Sequence, residues 1–230
     1  MRQATATIGF ASLAFGLVSW GLCGAAYAQE AHLQEPLAAP SRAFELQLST
    51  GYEQGFGRIA PNSNIREVAG AGMGFAADVG YRITPWVSVD LEGQYQVYVS
   101  ENASSSQGMD VNIGGTFHGN PGGRFDPWLR VASGYRWIWQ HDISSAFGPV
   151  PVDTSYAYQG WDIINGRIGL DIRTSEDIAL SPVIGASFQT FFWATATPNA
   201  SAVVGTFVFA GVQGRFDFGG RGRTNVASAE

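Results

Sequence analysis

Apolar and polar residues alternate almost strictly along the segment Val87–Val99. Alternation with a period of two is typical of a β-strand, because successive side chains point to opposite faces. The polar face of this segment carries the carboxylates of Asp90 and Glu92. An ordinary half-buried strand turns such charges to water and its apolar face to a protein core. The alternation alone does not show whether the apolar or the polar face lies inside. The other segments of the chain are needed to distinguish the two arrangements.

The same pattern recurs about eight times, with Gly, Ser, Gln, Asp, Glu or Arg opposite the apolar residues. A transmembrane barrel, apolar toward lipid and polar toward its lumen, produces this pattern. The sequence therefore predicts an all-β fold: an eight-stranded antiparallel up-and-down transmembrane β-barrel over residues 43–218. The predicted strands lie near Ala43–Phe56, Val68–Arg82, Val87–Val99, Gly108–His118, Trp128–Gln140, Gly160–Arg173, Ile178–Phe192 and Val203–Phe218.

The predicted connections alternate in length. Those after the first, third, fifth and seventh strands are mostly longer and polar, including a loop at 57–67 and the long segment 141–159. Outer-membrane barrels combine short periplasmic turns with longer outer loops, so both termini are expected in the periplasm. Aromatic residues then fall at the two membrane boundaries. This predicted aromatic girdle comprises Trp86, Trp128, Phe216 and Phe218 at the inner side and Trp137, Trp139, Trp161 and Trp193 at the outer side.

The beginning of the chain predicts an export signal. Arg2 supplies a positive charge, Ile8–Leu22 an apolar region too short for a permanent membrane span, and Ala26-Tyr27-Ala28 a cleavage site. Cleavage after Ala28 removes Cys23, the only cysteine, so the mature chain can form no disulfide. The resulting division is a signal peptide at 1–28, a flexible periplasmic lead-in at 29–42, the barrel at 43–218 and a periplasmic tail at 219–230.

Composition narrows the class of protein further. Charged residues make up 14% of the chain, against about 25% in an average soluble domain. The net charge of −6 and the scattered arginines argue against nucleic-acid binding. No Cys/His cluster suggests zinc, and no Gly-rich loop suggests phosphate binding, so neither a metal nor a cofactor is expected. After the signal no apolar run is long enough for a transmembrane helix, so a membrane would be crossed by paired strands.

The export signal, the strand count, the loop asymmetry and the closing Phe216-Asp217-Phe218 together support a resemblance. The chain resembles the small eight-stranded outer-membrane barrels of Gram-negative bacteria, a group that includes the OmpA transmembrane domain, OmpX and OmpW. The resemblance implies a location in the cell outer membrane, contact with its lipid and lipopolysaccharide, and insertion by the barrel-assembly machinery. The aromatic closing strand resembles the signal read by that machinery, although here it is followed by the twelve residues of 219–230.

Charges predicted to face the lumen divide along the chain. The first four strands contribute mainly carboxylates and the last four mainly arginines, so ring closure sets an acidic half against a basic half. The predicted lumen ion network comprises Glu45, Asp78, Asp90, Glu92, Arg130, Arg136, Arg167, Asp171 and Arg215. An eight-stranded interior is just filled by side chains, so these charges are expected to pair and plug the lumen. The alternative is that Glu92, Arg136 and Arg167 form a gate for small solutes or ions.

Function follows from these alternatives. A plugged barrel has a structural or surface-interaction role, with a possible surface ligand at the outer loops, whereas an open one is a narrow channel or carrier for small or apolar solutes. A third candidate is a barrel enzyme that modifies lipid A through a His/Ser/acid constellation. Only His118 and His141 lie in the barrel region, and only His141-Asp142 has serines close by. A solvated loop histidine is the favoured interpretation, so the chain is not expected to be an enzyme.

Two further alternatives stay open at this point. The aromatic residues of Tyr156–Trp161 either bind a partner at the surface or extend the sixth strand beyond the membrane, and the extension is slightly favoured. A soluble eight-stranded barrel would carry its apolar residues inside and its charges outside. The aromatic boundaries and the division of arginines and acids favour the membrane.

Overall fold

The computed structural model describes residues 38–99, 105–144, 152–194 and 202–220, with only the backbone described at 141–144 and 152–155. The predicted signal peptide, most of the lead-in and most of the tail lie outside these residues. The elements are β1 (Ala43–Ala60), β2 (Ser63–Asn64), α1 (Ile65–Ala69), β3 (Ala71–Thr84), β4 (Val87–Val99), β5 (Ser105–His118), β6 (Phe125–Ser144), β7 (Val152–Arg173), β8 (Ile178–Ala194) and β9 (Val203–Phe218).

The sheet closes on itself. Antiparallel strands follow one another in the order β1, β3, β4, β5, β6, β7, β8, β9, and β9 pairs with β1 from Phe44 opposite Phe218 to Gly57 opposite Gly205. The two-residue strand β2 adds only a short pairing to the end of β1. The prediction of an eight-stranded antiparallel up-and-down barrel is therefore confirmed.

The apolar face of the barrel is the outer one. In β4 the side chain of Leu91 is 57% exposed, whereas the neighbouring Asp90 and Glu92 are 4% and 0% exposed. The same alternation of exposed apolar and buried polar positions runs through the other strands. An apolar surface that surrounds the whole cylinder is typical of a transmembrane barrel, where the bilayer covers it. Among the described residues, no helix is both long and apolar enough to cross a membrane.

Strands β6 and β7 form the longest hairpin of the barrel. Their pairing runs from Phe125 opposite Ile172 to Ser144 opposite Val152, so the strand extension expected at Tyr156–Trp161 is confirmed and begins even earlier. Ser144 lies nine residues beyond Tyr135, which amounts to about 30 Å of strand. The hairpin is thus much longer than a membrane crossing requires.

The polar loop expected at 57–67 is largely wrong, because residues 57–60 continue β1, residues 63–64 form β2 and residues 65–67 begin the short helix α1. Asn64 caps the helix: its side chain accepts a hydrogen bond from the Arg66 backbone, and Glu67 accepts one from the Asn64 backbone. Ile65, Val68 and Ala69 are buried. Val68 was expected in the second strand, which instead begins at Ala71. The helix therefore turns its apolar side into one end of the barrel. This end is called the outer end here, because the sequence predicts that the longer connections on this side face the cell exterior, and the opposite end is called the inner end.

The inner end is crossed by the residues that precede β1, which we call the inner strap (residues 38–42). The backbone N–H of Ala39 donates to the carbonyl of Pro121 at 2.7 Å, and Ala39 and Pro40 are buried. Pro121 belongs to the turn between β5 and β6, which lies across the barrel from β1 in the strand order. Arg42 adopts a left-handed φ of 56° where the strap bends into β1. The flexible lead-in expected at 29–42 is therefore wrong for its last residues.

Candidate functional site: the barrel lumen

The middle of the lumen is occupied by three arginines. Arg136 of β6 lies at the outer level, where its guanidinium contacts Glu53 Oε1 and Asp110 Oδ2, each at 2.6 Å. Its guanidinium carbon also lies 4.4 Å from the centre of the Phe207 ring. Such a contact adds a cation–π attraction to the two ion pairs. Arg136 therefore joins carboxylates of β1 and β5 across the outer level of the lumen.

Arg130 and Arg167 lie toward the inner side of Arg136 and share one acid. Arg167 contacts Glu92 Oε2 at 2.5 Å and donates to Gln94 Oε1 at 2.7 Å. Arg130 contacts Asp90 at 2.5 Å and reaches Glu92 at 3.4 Å and Asp78 at 3.7 Å. The arginines of β6 and β7 thus face the acids of β3 and β4, as expected from the division of charge along the sequence. Whether the whole predicted set acts as one network stays a prediction.

Further ion pairs fill the inner end. Arg82 Nε donates to Glu45 at 2.6 Å, and Arg215 lies 3.0 Å from Asp171. Arg173, at the end of β7, contacts Asp217 of β9 at 2.9 Å. These side chains are 3% exposed or less. Bidentate or charge-assisted contacts of this kind are the ones that make buried charge tolerable.

Trp128 does not lie at the lipid-facing inner boundary, where it was expected. Its ring is 4% exposed and lies inside the barrel, 5.6 Å from the guanidinium of Arg215. The reason is the alternation of β6: Trp128 shares the even-numbered side with Arg130 and Arg136, and that side faces the lumen.

The other predicted boundary aromatics are on the outer surface. Trp86, Trp161, Trp193 and Phe218 are exposed, and Trp137, Trp139 and Phe216 are partly exposed. At the outer side of β6 and β7, the Tyr135 ring packs against Trp137 at 4.7 Å and Trp161 at 5.8 Å. Their position at the membrane boundary remains a prediction.

His118 lies in a buried cluster with Asp126, Asp171 and Arg215 at the inner end. Its Nδ1 is 2.8 Å from Asp126 Oδ2 and its Nε2 is 2.9 Å from the Arg215 guanidinium. His118, Asp126 and Asp171 have ligand atoms within 4.8 Å of one another, a donor set that suits a metal ion. The Arg215 guanidinium, however, already contacts both His118 and Asp171 and supplies the positive charge there. Ser181 donates to Asp171 and not to the histidine.

His141 is the second histidine of the barrel region. His141 lies in β6 opposite Ser105, and its side chain is outside the described residues, as is Ser145. The triad considered around Asp142 therefore stays without structural description.

The outer end of the lumen is apolar. Side chains of α1 belong there to a buried cluster with residues from six barrel strands. Gly55 and Gly205 allow this approach, because a Cβ at either position would overlap the Ile65 side chain. The buried cluster comprises Ile59, Ile65, Val68, Ala69, Tyr98, Ile138, Tyr158, Phe191, Ala194 and Phe207. Between this cluster and the arginines lies a cavity of about 10 Å³, which holds about one water molecule.

Two buried acids were missed by the reasoning from sequence. Asp126 fell in the turn expected at 119–127, but it opens β6 and accepts from the backbone of Asn120 at 2.8 Å. Asp162 precedes a β-bulge at which Ile163 and Ile164 both face outward. The inward-facing positions of β7 are therefore even-numbered at Asp162 but odd-numbered at Arg167 and Asp171. The pair of consecutive isoleucines is the sequence signal that could have shown this change of phase.

No protein-family model matches the sequence, and no curated protein matches it. Several solved structures do. Neisserial surface protein A is 12% identical with a TM-score of 0.50, and the match covers 74% of this chain and 95% of that one. Ail of Yersinia pestis is 16% identical (TM-score 0.44; 75% and 99% covered), and OprG of Pseudomonas aeruginosa is 10% identical (0.44; 79% and 99%). At such identities the likeness concerns the fold.

Fold, apolar exterior and charged interior together define the class. The protein is a small transmembrane β-barrel with the fold of the eight-stranded outer-membrane proteins, as the sequence predicted.

Proposed function

We propose that this protein resides in the outer membrane with a lumen filled by its own side chains, and that its role is structural or surface-interacting. One observation supports the proposal above all: at the level of Arg136 and Arg167, the ion pairs and the Phe207 ring enclose a cavity of only about 10 Å³. A solute larger than water has no room at this level of the lumen without rearrangement.

The ion pairs also make rearrangement costly. Breaking a buried pair by removing one partner costs about 3–5 kcal/mol, because the other charge is left without compensation. Arg136 has two carboxylate partners and Arg167 shares Glu92 with Arg130, so a passing ion would have to displace several contacts at once. These contacts favour a closed lumen over the gate considered for Glu92, Arg136 and Arg167.

The length of the β6–β7 hairpin supports the surface part of the proposal. Among the described residues, β6 stays paired with β5 as far as His141 and β7 with β8 as far as Tyr158, and beyond these residues β6 and β7 pair with each other as far as Ser144 opposite Val152. This two-stranded tip offers a ligand or partner more surface than a tight turn does. Lipopolysaccharide around its base and a surface ligand along its length are the partners that this geometry suits.

A non-enzymatic role fits the surroundings of His118. A general base needs a free ring nitrogen within hydrogen-bond reach of its nucleophile. Here Nδ1 faces Asp126 and Nε2 faces Arg215, so neither nitrogen is open to a serine.

The lumen proposal is tested by conductance. Wild-type protein, refolded from residue 29 onward and inserted into planar bilayers, is expected to show no current steps. A variant that combines Arg136→Ala with Phe207→Ala is expected to conduct, because it removes both an ion-pair centre and the ring packed on it. This variant is the control that makes silence of the wild type meaningful.

Current steps from the wild type would contradict a filled lumen and favour the channel or carrier. Ion selectivity that changes on Arg136→Gln would then assign the gate to that residue. If the double variant also stays silent, the filling attributed to Arg136 and Phe207 is wrong.

A further inference from the structure

The arginines that the structure describes fall into two groups. One group is buried, with a carboxylate within 4.0 Å of each member: Arg82, Arg130, Arg136, Arg167, Arg173 and Arg215. The other group is exposed: Arg42, Arg58, Arg66 and Arg124. No carboxylate of the described residues lies within 4.0 Å of these four. Their positive charge is therefore available to an anion from outside the chain.

Two of the exposed arginines, Arg58 and Arg66, lie close together at the outer end. Arg58 of β1 is directly paired with Asn64 of β2, which precedes Arg66 by two residues. Directly paired residues have Cα atoms about 5 Å apart, and two residues of chain span at most about 7 Å. The Cα atoms of the two arginines are thus within about 12 Å of each other. Two extended arginine side chains cover that distance, so both guanidiniums can contact one anion.

The Phe56 ring holds one of these guanidiniums in place. The guanidinium carbon of Arg66 lies 5.4 Å from the centre of the Phe56 ring, which is a cation–π contact. Phe56 precedes Arg58 by two residues in β1 and is partly exposed, so Arg66 lies on the same outer surface as Arg58. Asn64 Oδ1 accepts from the Arg66 backbone, which directs the Asn64 amide nitrogen away from the helix as a further donor.

The acid next to Arg66 in the sequence does not neutralise this pair. Glu67 accepts a hydrogen bond from the Asn64 backbone at 3.3 Å and belongs to the capping box of α1. It forms no ion pair with Arg58 or Arg66 among the described residues. The two guanidiniums therefore form a small positive surface.

This surface lies just beyond the apolar band of β1. From Phe44 to Tyr52 the outward side chains of β1 are apolar apart from Thr50, and Gln54 follows. Such a span matches the 9–11 residues of a strand that crosses a bilayer. Arg58 comes four residues after Gln54, which is about 13 Å along a tilted strand. At this height a guanidinium faces the polar headgroups of the outer leaflet.

We propose that Arg58 and Arg66 bind the phosphate group of a lipid in the outer leaflet, with Phe56 as a positioning residue for Arg66. The inference rests on the proposed outer-membrane location. The planar guanidinium matches phosphate through paired N–H donors and keeps its charge at every physiological pH. A lipid phosphate is held at the height of the two arginines by its own acyl chains, whereas a free phosphate ion is not.

The inner end provides the matched comparison. Arg42 and Arg124 are exposed there in the same way. Arg42 precedes β1 and Arg124 precedes β6, and these strands lie on opposite sides of the barrel. The inner arginines therefore do not converge on one anion, although they carry the same charge as the outer pair.

The test uses the chain from residue 29 onward, folded in a maltoside detergent, which contains no phosphate. Lipid A with its phosphates and lipid A without them are titrated separately, and native mass spectrometry measures the fraction of barrel that carries a lipid. The wild type is expected to bind the phosphorylated lipid at least tenfold more tightly. Arg58→Gln combined with Arg66→Gln is expected to bind both lipids equally.

The control, Arg42→Gln combined with Arg124→Gln, removes the same charge and is expected to keep the wild-type preference. Heat-modifiable migration on a gel shows that each variant is folded. Equal binding of both lipids by the wild type, or an equal loss in the control, overturns the proposal. If inorganic phosphate at the same concentration as the lipid displaces it, the ligand is a free anion and the assignment to a lipid is wrong.

The role of Phe56 has its own pair of variants. Phe56→Leu is expected to weaken binding of the phosphorylated lipid about twofold to fivefold, the contribution of one exposed cation–π contact. Phe56→Tyr keeps an aromatic ring and is expected to bind as the wild type does. Unchanged binding in Phe56→Leu would show that the ring does not position Arg66.

Cell fractionation tests the location separately from the site. Recovery of the protein in another membrane would contradict the outer-membrane location. Recovery in the outer membrane together with equal binding of both lipids would contradict the phosphate site alone.

Discussion

At the scale of single residues, stability depends on how each buried charge is matched. Glu45 and Arg82 form the simplest pair in the lumen, with one contact of 2.6 Å and 0% exposure of both side chains. Removing one member of such a pair leaves the other charge buried and uncompensated. Removing both is often close to neutral, because the desolvation penalty of the pair disappears with it.

We therefore expect Glu45→Gln to lower the free energy of unfolding by about 3 kcal/mol. Glu45→Gln combined with Arg82→Met is expected to lower it less than the single change does. Unfolding in urea, followed by tryptophan fluorescence in lipid vesicles, measures both values. Glu176→Gln, in an exposed turn, is the control and is expected to have little effect. An equal or larger loss in the double variant would show that the pair itself is stabilising.

Side-chain direction was the most predictable property of a residue, because a period of two leaves only two choices per strand. The failures have specific causes. Trp128 was predicted at the membrane boundary because it is aromatic. The alternation along β6, however, puts it on the same side as the inward-facing Arg130. Asp162 was lost because a bulge changes the phase of β7 within a few residues. The inward position of Asp162 depends on that same bulge, and therefore on information that a regular alternation does not contain.

At the scale of elements, regular strands followed from local pattern, but α1 and the inner strap did not. A five-residue helix is too short to be stable alone, because nucleation costs more than its few hydrogen bonds return. Asn64 and Glu67 have the spacing of a capping box, yet the helix depends on contacts made by Ile65 with residues far along the chain. The inner strap likewise depends on the hydrogen bond from Ala39 to Pro121. A contact with a residue so far along the chain cannot be predicted from the local sequence around Ala39.

The packing of α1 predicts a change in proteolysis. Ile65→Asp buries a charge in an apolar cluster, so α1 is expected to leave the outer end and to expose the peptide bond after Arg66. Trypsin added to proteoliposomes should then cut after Arg66 at least tenfold faster than in the wild type, while the barrel stays folded.

The matched control is Glu67→Gln, which changes the capping box and leaves the apolar contacts in place. Cleavage in this variant should stay close to the wild-type rate. If Ile65→Asp resists trypsin as well as the wild type does, the burial of Ile65 does not hold the helix in place.

At the scale of the whole molecule, the seam between β1 and β9 turns an open sheet into a barrel without edges. Thr50 and Val212 are directly opposite across this seam and both face outward. Opposite residues in antiparallel strands have Cα atoms about 4.5–5.5 Å apart, within the range of a disulfide.

Thr50→Cys with Val212→Cys is therefore expected to form a disulfide in the folded barrel made from residue 29 onward, a chain without other cysteines. After boiling in detergent without reductant, the linked chain should migrate faster on a gel than the reduced one. The control is Thr50→Cys with Ile113→Cys, on β1 and β5, which are not neighbours. Equal cross-linking of both pairs would mean that β1 and β9 are not joined as described.

The seam also sets the timing of folding. Gln213 donates to Gln47, a residue 166 positions earlier, so the first strand must wait for the last one before its open edge is paired. Closing so long a loop is entropically unfavourable, and contacts this distant in sequence fold slowly. Throughout this wait the polypeptide carries unpaired backbone groups and an exposed apolar surface, both of which promote aggregation. The yield of folded barrel is therefore set by the competition between closure of the seam and association of chains whose two ends have not yet met.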